Sequence, residues 1–540
     1  MMRETKIQIG NFGSYALSLL SVLESYVTRY PIVFLCFGLL IFLGRVLVQS
    51  RLKRFWIDEI LTWAQAQSPS LSALWSGVVH APTSLDPPLY PIVAFFALRL
   101  PLHPDLSLRL PSFVFYAAMM LSLYVIMRRR APESVALIAC FIPMVAPVSN
   151  YALEARPYAL LLALCGWAFA LWQRAADRRS GRATSLVLLF LCLTGAIWTH
   201  YLALLLFVPL YAGELWRTAV SGFDRGVWFT MLLPVAAVLV YIPLLPAASA
   251  YLPFTWVETT GVLGTYAYAF APGIFVLLLL CCLADLALPA TNSNPLALTG
   301  DNRGIQFRDY EYIAIATLFL LPVLVFGVAN FLTHNYQPRH ALPFSVAAAL
   351  LISAAFAVLA HRIRGLLSLV LVLILLSPAI PLVRAFVRGL PASVNSIDRS
   401  SIEVIDRFPD LPLAVPDFEY YVRFRLFGPN RIEKRMVLVS VSPGELRDVA
   451  LDDKQPPLAA QGLQWFALAN IALHRFIGAP VKDFGSFIDA HSHFLLIDTS
   501  PQWDGTVARE AVLRKGRLLR WLGMSDSHDV YLAESSAGGQ

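Results

Sequence analysis

Apolar runs recur along the first 390 residues, separated by short polar stretches, and then stop. A membrane-crossing helix needs about 20 apolar residues. Runs near 31–49, 109–127, 133–149, 157–173, 184–199, 201–216, 227–247, 261–285, 311–332, 341–360 and 365–386 therefore predict eleven spans. A long loop, 50–108, separates the first two. Within it, the apolar stretch 88–101 is short, begins at a Pro87-Pro88 pair and carries Arg99. It is predicted to lie at the membrane interface rather than cross.

From about 390 the pattern changes. Short strand-like runs appear at 411–415, 435–441, 493–498 and 530–534, with helical stretches near 461–475, 482–491 and 505–523. Such alternation predicts a small α/β domain. The expected organisation is a cytoplasmic segment 1–30, a transmembrane domain 31–390 and a C-terminal α/β domain 391–540. The fold class is thus a polytopic α-helical membrane protein with a small soluble domain appended.

Charge orients this arrangement. Of 540 residues 57% are hydrophobic and only 14% charged, where soluble domains run near 25% charged. Arginine is concentrated in alternate loops: Arg128-Arg129-Arg130, then Arg174, Arg178, Arg179 and Arg182, then Arg217 and Arg225, Arg303 and Arg308, Arg362 and Arg364. The intervening loops carry Arg156, Arg339 and the first-loop group Arg51, Lys53, Arg54 and Arg99. The positive-inside rule then places the N-terminus in the cytoplasm and the C-terminal domain on the outer, periplasmic or extracellular, face. Arg51, Lys53 and Arg54 are exceptions that either snorkel to headgroups or meet an anionic ligand. The first span is read as retained, because no small-residue cleavage site precedes it. All six cysteines fall in hydrophobic segments, so neither a disulfide framework nor a cysteine zinc site is expected outside the membrane. No phosphate loop, dinucleotide-binding glycine fingerprint or internal repeat is evident.

Candidate chemistry gathers on the outer side. Asp58-Glu59 opens the first loop, Asp86 and Tyr90 follow in it, and Arg109 begins the second span. Glu154 and Arg156 lie in the next outer loop, His200-Tyr201 at another outer turn, and His334, Arg339 and His340 in HNYQPRH. Carboxylates beside a bilayer are costly to desolvate unless used or paired. The set suits transfer of a sugar from a lipid phosphate. Arginines neutralise the leaving phosphate, and a carboxylate takes the proton of the attacking hydroxyl. Each member also has a purely structural reading. Asp58-Glu59 caps a helix N-terminus, Glu154 and Arg156 pair with each other, Arg109 snorkels, and the histidines are interfacial. His491-Ser492-His493 resembles a metal pair but reads better as an exposed strand start. Asp417 and Glu419 follow a strand end with no second cluster to support a site.

The order of motifs resembles a known family. After the acid pair come PPLYP (87–91), RLPS (109–112), EARPYAL (154–160) and THYLALLL (199–206). This is similar to the integral-membrane glycosyltransferases of the GT-C fold, in particular glycosyltransferase family 39, the bacterial branch related to protein O-mannosyltransferases and aminoarabinose transferases. The resemblance implies an inverting transfer from a polyprenyl-phosphate sugar to an envelope lipid, glycan or protein at the periplasmic face of the inner membrane. It implies Asp58 as base, Glu59 as its support or as a ligand of the acceptor, Arg109 as phosphate ligand, and roles for Glu154 and Arg156. Where the family often has His before the two prolines, this chain has Asp86. Some members use a divalent cation and others do not, so a set of Asp58, Asp86 and Glu154 stays open as an oxygen-ligand site. No other cofactor and no nucleic acid is expected. The rival readings are a transporter or flippase of lipid-linked sugars, and an inactive relative. The sugar, the acceptor and the oligomeric state are not legible.

Overall fold

The computed structural model describes residues 15, 18–80, 86–177, 180–246, 261–270, 272–287, 305–333, 336–360, 365–390, 393–440, 473–498 and 506–535. The chain forms two compact units. One comprises Met1–Gln49, Arg109–Val240 and Thr255–Leu390; the other comprises Ser50–Leu108, Tyr241–Phe254 and Pro391–Gln540.

The first unit is helical, and the chain is a multi-pass membrane protein. Among the described residues, seven helices are long and apolar enough to cross a bilayer, or nine if two bent pairs each count as one span. Pro31–Leu52, with 22 residues, rises about 33 Å, enough for a hydrocarbon core of about 30 Å. Two of the eleven expected spans, at 261–285 and 341–360, contain apolar helices of under 18 residues, Pro272–Ala284 and Phe344–Leu359. The two bent pairs break at proline. Glu133–Val145 meets Pro147–Leu153 at 71°, and Asp309–Phe319 meets Leu321–Phe331 at 48°. Ala146, just before Pro147, has φ −85° and ψ 154°, the extended geometry that the following ring imposes. At the second break, Pro322 offers no N–H to continue the ladder.

Glu133–Val145 forms the centre of this unit. It is apolar all round, as a core helix must be, and Val135 through Phe141 are fully buried. It packs between Phe344–Leu359 and Leu366–Arg388. Gly38 lets Pro31–Leu52 approach, since a Cβ there would stand 2.2 Å from the Phe141 ring. Arg45 caps the far end, donating to the Met144 carbonyl and, at 3.3 Å, to the Ser149 hydroxyl.

In the second unit the first loop and the C-terminal segment fold together. A six-stranded sheet has the order β3-β2-β1-β4-β6-β5, with β1 Leu413–Val415, β2 Met436–Ser440, β3 Val481–Asp483, β4 His493–Ile497, β5 Arg517–Ser525 and β6 His528–Ser535. The first four strands run parallel, and β5 and β6 form an antiparallel hairpin on β4. The turn residues Asp526 and Ser527 have φ 48° and 68°, the pair of positive values that a two-residue hairpin requires.

Two strands were not anticipated. β3 is three residues long. β5 falls in the stretch expected to be helical to 523, but the helix ends at Arg514, and Gly516, at φ 69°, turns the chain into β5. Pairing along the whole of β6 outweighs the local helix pattern there. The expected helix at 461–475 lies almost wholly outside the described residues.

The first-loop helices Ile57–Ala66, Leu71–His80 and Leu89–Ala97 pack on one another. At nine residues, or about 14 Å, Leu89–Ala97 is too short to cross a bilayer. Arg99 ties its end to the Ile57–Ala66 helix by donating to the Ala66 carbonyl at 3.3 Å and to the Ser68 carbonyl at 2.9 Å. Buried Asn395 accepts the Phe55 N–H at 2.9 Å, and Phe55 stacks on Phe427 at 6.1 Å. Arg54 meets Asp526 at 2.9 Å, so its partner is a carboxylate of the protein itself.

Candidate functional site

Within the first unit, three helix ends bring several of the expected residues together. The 154–157 segment follows a short 3-10 helix, Pro147–Leu153, and leads into Tyr158–Ala176. His200 ends Arg182–Thr199, and Tyr201 opens the next 3-10 helix. Arg339 and His340 lie in the turn Pro338–Ala341. Their rings form a chain: Tyr151 on Tyr158 at 5.2 Å, Tyr158 to His200 at 6.0 Å, His200 to His340 at 5.8 Å, with Tyr201 stacked on His200 at 4.8 Å. The Arg156 guanidinium lies 5.9 Å from the Tyr158 ring centre.

The RLPS segment joins the same cluster. Ser112 donates its hydroxyl to the Glu154 carbonyl at 2.5 Å. Arg109 lies one turn earlier on the same face of its helix and is fully buried. A guanidinium is rarely buried without a designated anion. Arg156 is 6% exposed, so a second arginine of this end is also withdrawn from solvent.

The two histidines are held in defined states. His200 Nδ1 accepts the Leu202 N–H at 3.2 Å, which leaves its proton on Nε2. His340 is held well below the usual imidazole range by burial first, and then by His200, Arg339 and Arg156. It is neutral at physiological pH, and its buried Nδ1 has no hydrogen-bond partner among the described residues. This end of the unit therefore combines permanent guanidinium charge with a neutral His340.

The remaining candidates belong to the second unit. Asp58 and Glu59 occupy the first turn of Ile57–Ala66, where the helix dipole favours carboxylates, and Glu59 is fully buried. The Asp58 carbonyl accepts the Thr62 hydroxyl at 2.8 Å. Asp86 is buried, and Tyr90, 2% exposed, lies in the first turn of Leu89–Ala97, which packs on the Asp58 helix. Asp58, Glu59, Asp86 and Tyr90 thus share one unit, and Arg109, Glu154, Arg156, His200, Tyr201, Arg339 and His340 the other. Among the described residues no three His, Cys, Asp or Glu side chains come together as a metal-binding set. His334 lies outside the described residues. His491 and His493 bind the Phe487 carbonyl and the Ser492 hydroxyl through their Nδ1 atoms, and β4 starts at His493.

Sequence reading missed two features. Tyr151 and Tyr158 join the ring chain although neither is a sequence candidate, and the EARPYAL motif, which places Tyr158 beside Arg156, is the signal that could have found the second. In the second unit Asp417, Glu419, Arg423, Asp526 and His528 form a polar cluster that only the fold assembles. Asp417 takes His528 Nε2 at 3.0 Å and the Glu419 N–H at 2.7 Å, and Arg423 pairs with Asp526.

Comparison with known proteins bears on this geometry. Residues 86–249 match the family model described as dolichyl-phosphate-mannose-protein mannosyltransferase. The structure is similar to that of ArnT from Cupriavidus metallidurans bound to undecaprenyl phosphate, at TM-score 0.56 and 14% identity, over 95% of this chain and 100% of that one. An Archaeoglobus fulgidus oligosaccharyltransferase, in complex with Zn and sulfate, aligns at TM-score 0.44 and 11% identity over 85% of this chain and 68% of that one. No protein of curated function matches in sequence. The family match over 86–249 and the ArnT-like architecture agree with the motif order, and the chain has the fold of the GT-C glycosyltransferases.

Proposed function

We propose that the protein is an inverting glycosyltransferase of the bacterial inner membrane. It moves a sugar from a polyprenyl-phosphate donor to an envelope lipid, glycan or protein on the periplasmic face. The observation that carries this reading is the family match over 86–249, which contains Asp86, Tyr90, Arg109, Glu154, Arg156, His200 and Tyr201. The ArnT relative, described as bound to undecaprenyl phosphate, supports the same donor class.

In this reading the acceptor hydroxyl attacks the anomeric carbon. Its oxygen–carbon bond forms as the bond from that carbon to the phosphate oxygen breaks. Asp58 takes the hydroxyl proton, and Glu59, fully buried beside it, supports that base or binds the acceptor. The phosphate leaves with the electron pair, and Arg109, Arg156 and Arg339 neutralise its growing charge. One base with no second nucleophile gives a single displacement and inversion. Neutral His340 adds no further cation that would hold the product phosphate.

The test compares purified wild type with Asp58→Asn, each supplied with radiolabelled polyprenyl-phosphate sugars and an envelope extract. Transfer by the wild type and loss of at least about a hundredfold in an equally folded variant is expected. Equal transfer by both removes Asp58 as base. Translocation of the labelled lipid without transfer would favour a flippase.

A further inference from the structure

At the opposite end of the first unit lies a polar cavity of about 250 Å³, far larger than the roughly 30 Å³ of one water. It is lined by Ala176, Asp177, Arg217, Ser221, Arg308 and Tyr310. Asp177 immediately follows the helix that Tyr158 begins, about 28 Å along its axis, and Ser221 ends the helix Phe207–Ser221 that follows His200-Tyr201. The cavity is therefore remote from the histidine and arginine cluster.

The lining has donors to spare. Arg130 engages Glu311 with Nε at 2.8 Å and Nη2 at 2.8 Å, and also Asp177 at 2.8 Å. Arg217 engages Glu214 through Nε at 2.8 Å and Nη2 at 2.5 Å. Arg308, half-exposed, reaches Asp177 at 3.1 Å. Arg217 Nη2 also lies 3.6 Å from Asp224, so the acids here are already matched, and among the described residues Nη1 of Arg217 and Nη1 of Arg308 remain for a ligand. Among the described residues the Tyr310 hydroxyl has no hydrogen-bond partner, although the residue is only 7% exposed. Its ring is locked edge-on against Trp172 at 5.5 Å, and Trp172 in turn donates to Glu214 at 2.9 Å. A buried, immobilised hydroxyl left unsatisfied costs about 1–3 kcal/mol unless something fills the site.

We propose that this cavity binds a phosphate group. Two guanidinium edges and two hydroxyls, those of Tyr310 and Ser221, offer donors to the non-bridging oxygens of a phosphate group. At the same helix ends Arg129 and Arg174 donate to the Ala170 and Ser180 carbonyls while Arg182 pairs with Asp224, and a basic belt of this kind at a membrane surface draws in anionic headgroups. The phosphate comes either from a lipid headgroup of the adjoining leaflet or from free solute. Binding here does not depend on the transfer chemistry proposed above.

The experiment uses the full-length protein in maltoside detergent. Thermal unfolding is followed against inorganic phosphate and against short-chain phosphatidylglycerol, each with sodium chloride at equal ionic strength as control. A saturable rise in melting temperature with at least one probe is expected. Arg308→Gln should weaken it about tenfold in apparent Kd, and Tyr310→Phe about threefold. Response to the lipid alone assigns a headgroup site, and response to both assigns the phosphate group itself. No saturable response to either probe, or a response unchanged in the variants, overturns the proposal. Tyr310→Phe removes one oxygen only and decides the case should Arg308→Gln not fold.

Discussion

Glu419→Gln should make the second unit more stable at alkaline pH and leave it unchanged in acid. Glu419 sits in the first turn of Phe418–Phe427, beside Asp417, whose carboxylate caps that helix. Burial above all, and then the Asp417 charge, pushes its carboxyl from 4.5 up to about 7, against the pull of His528, Arg423 and Arg54. Between those two pH values the folded state holds a proton that the unfolded chain has released. Stability therefore falls as pH rises through the window and stays low above it. The difference corresponds to about 3 kcal/mol at most. Loss of a charge favourable to the helix N-terminus offsets about 0.5 kcal/mol of the gain. His528 acts in the same direction. Burial lowers its pKa, but the hydrogen bond and charge of Asp417 outweigh that and raise it overall. Its contribution is present below its unfolded value of 6.5 and is lost as pH rises through the folded one. Amide hydrogen exchange of β6 and of Phe418–Phe427, measured on the full chain at pH 5 and pH 8 and corrected for intrinsic rates, reads the effect. Glu419→Gln should protect these segments by about 2 kcal/mol at pH 8 and by little at pH 5, with the residual slope belonging to His528. An identical pH dependence in the variant and the wild type would refute the reasoning.

Other changes test the first unit. Glu311→Gln strips buried Arg130 of its two-pronged partner and should destabilise by about 3–5 kcal/mol, read as a fall in melting temperature in detergent. At Gly213 a Cβ would stand 2.7 Å from both the Trp172 ring and the Tyr310 carbonyl, so Gly213→Ala should destabilise by about 1–3 kcal/mol in the same assay. Arg109→Lys keeps the charge but loses the planar fork. Under the proposed function it should lower kcat/KM about tenfold or more in the transfer assay, with the melting temperature little changed.

Much of the fold was legible because a bilayer demands long apolar runs, and such runs show in sequence. The order of five short motifs carried the resemblance, and the matched segment 86–249 lies where those motifs are densest. Spans were harder to count than to locate. Ala146-Pro147 and Leu320 to Pro322 interrupt hydrophobic runs that remain continuous by composition, and a proline bends a helix without making it polar. In the tail, β5 was read as helix because its pairing partner, β6, is what makes it a strand. Several site candidates, from Asp58 to His340, were visible as charges where charge is expensive. What sequence could not supply was association. Ser112 meets Glu154, His200 meets His340, and Asp417 meets His528 across 42, 140 and 111 residues of chain respectively. Local pattern fixes which residues are apolar, helical or charged. Only packing decides which distant charge or ring completes each one, because burial and partner choice are properties of the folded neighbourhood.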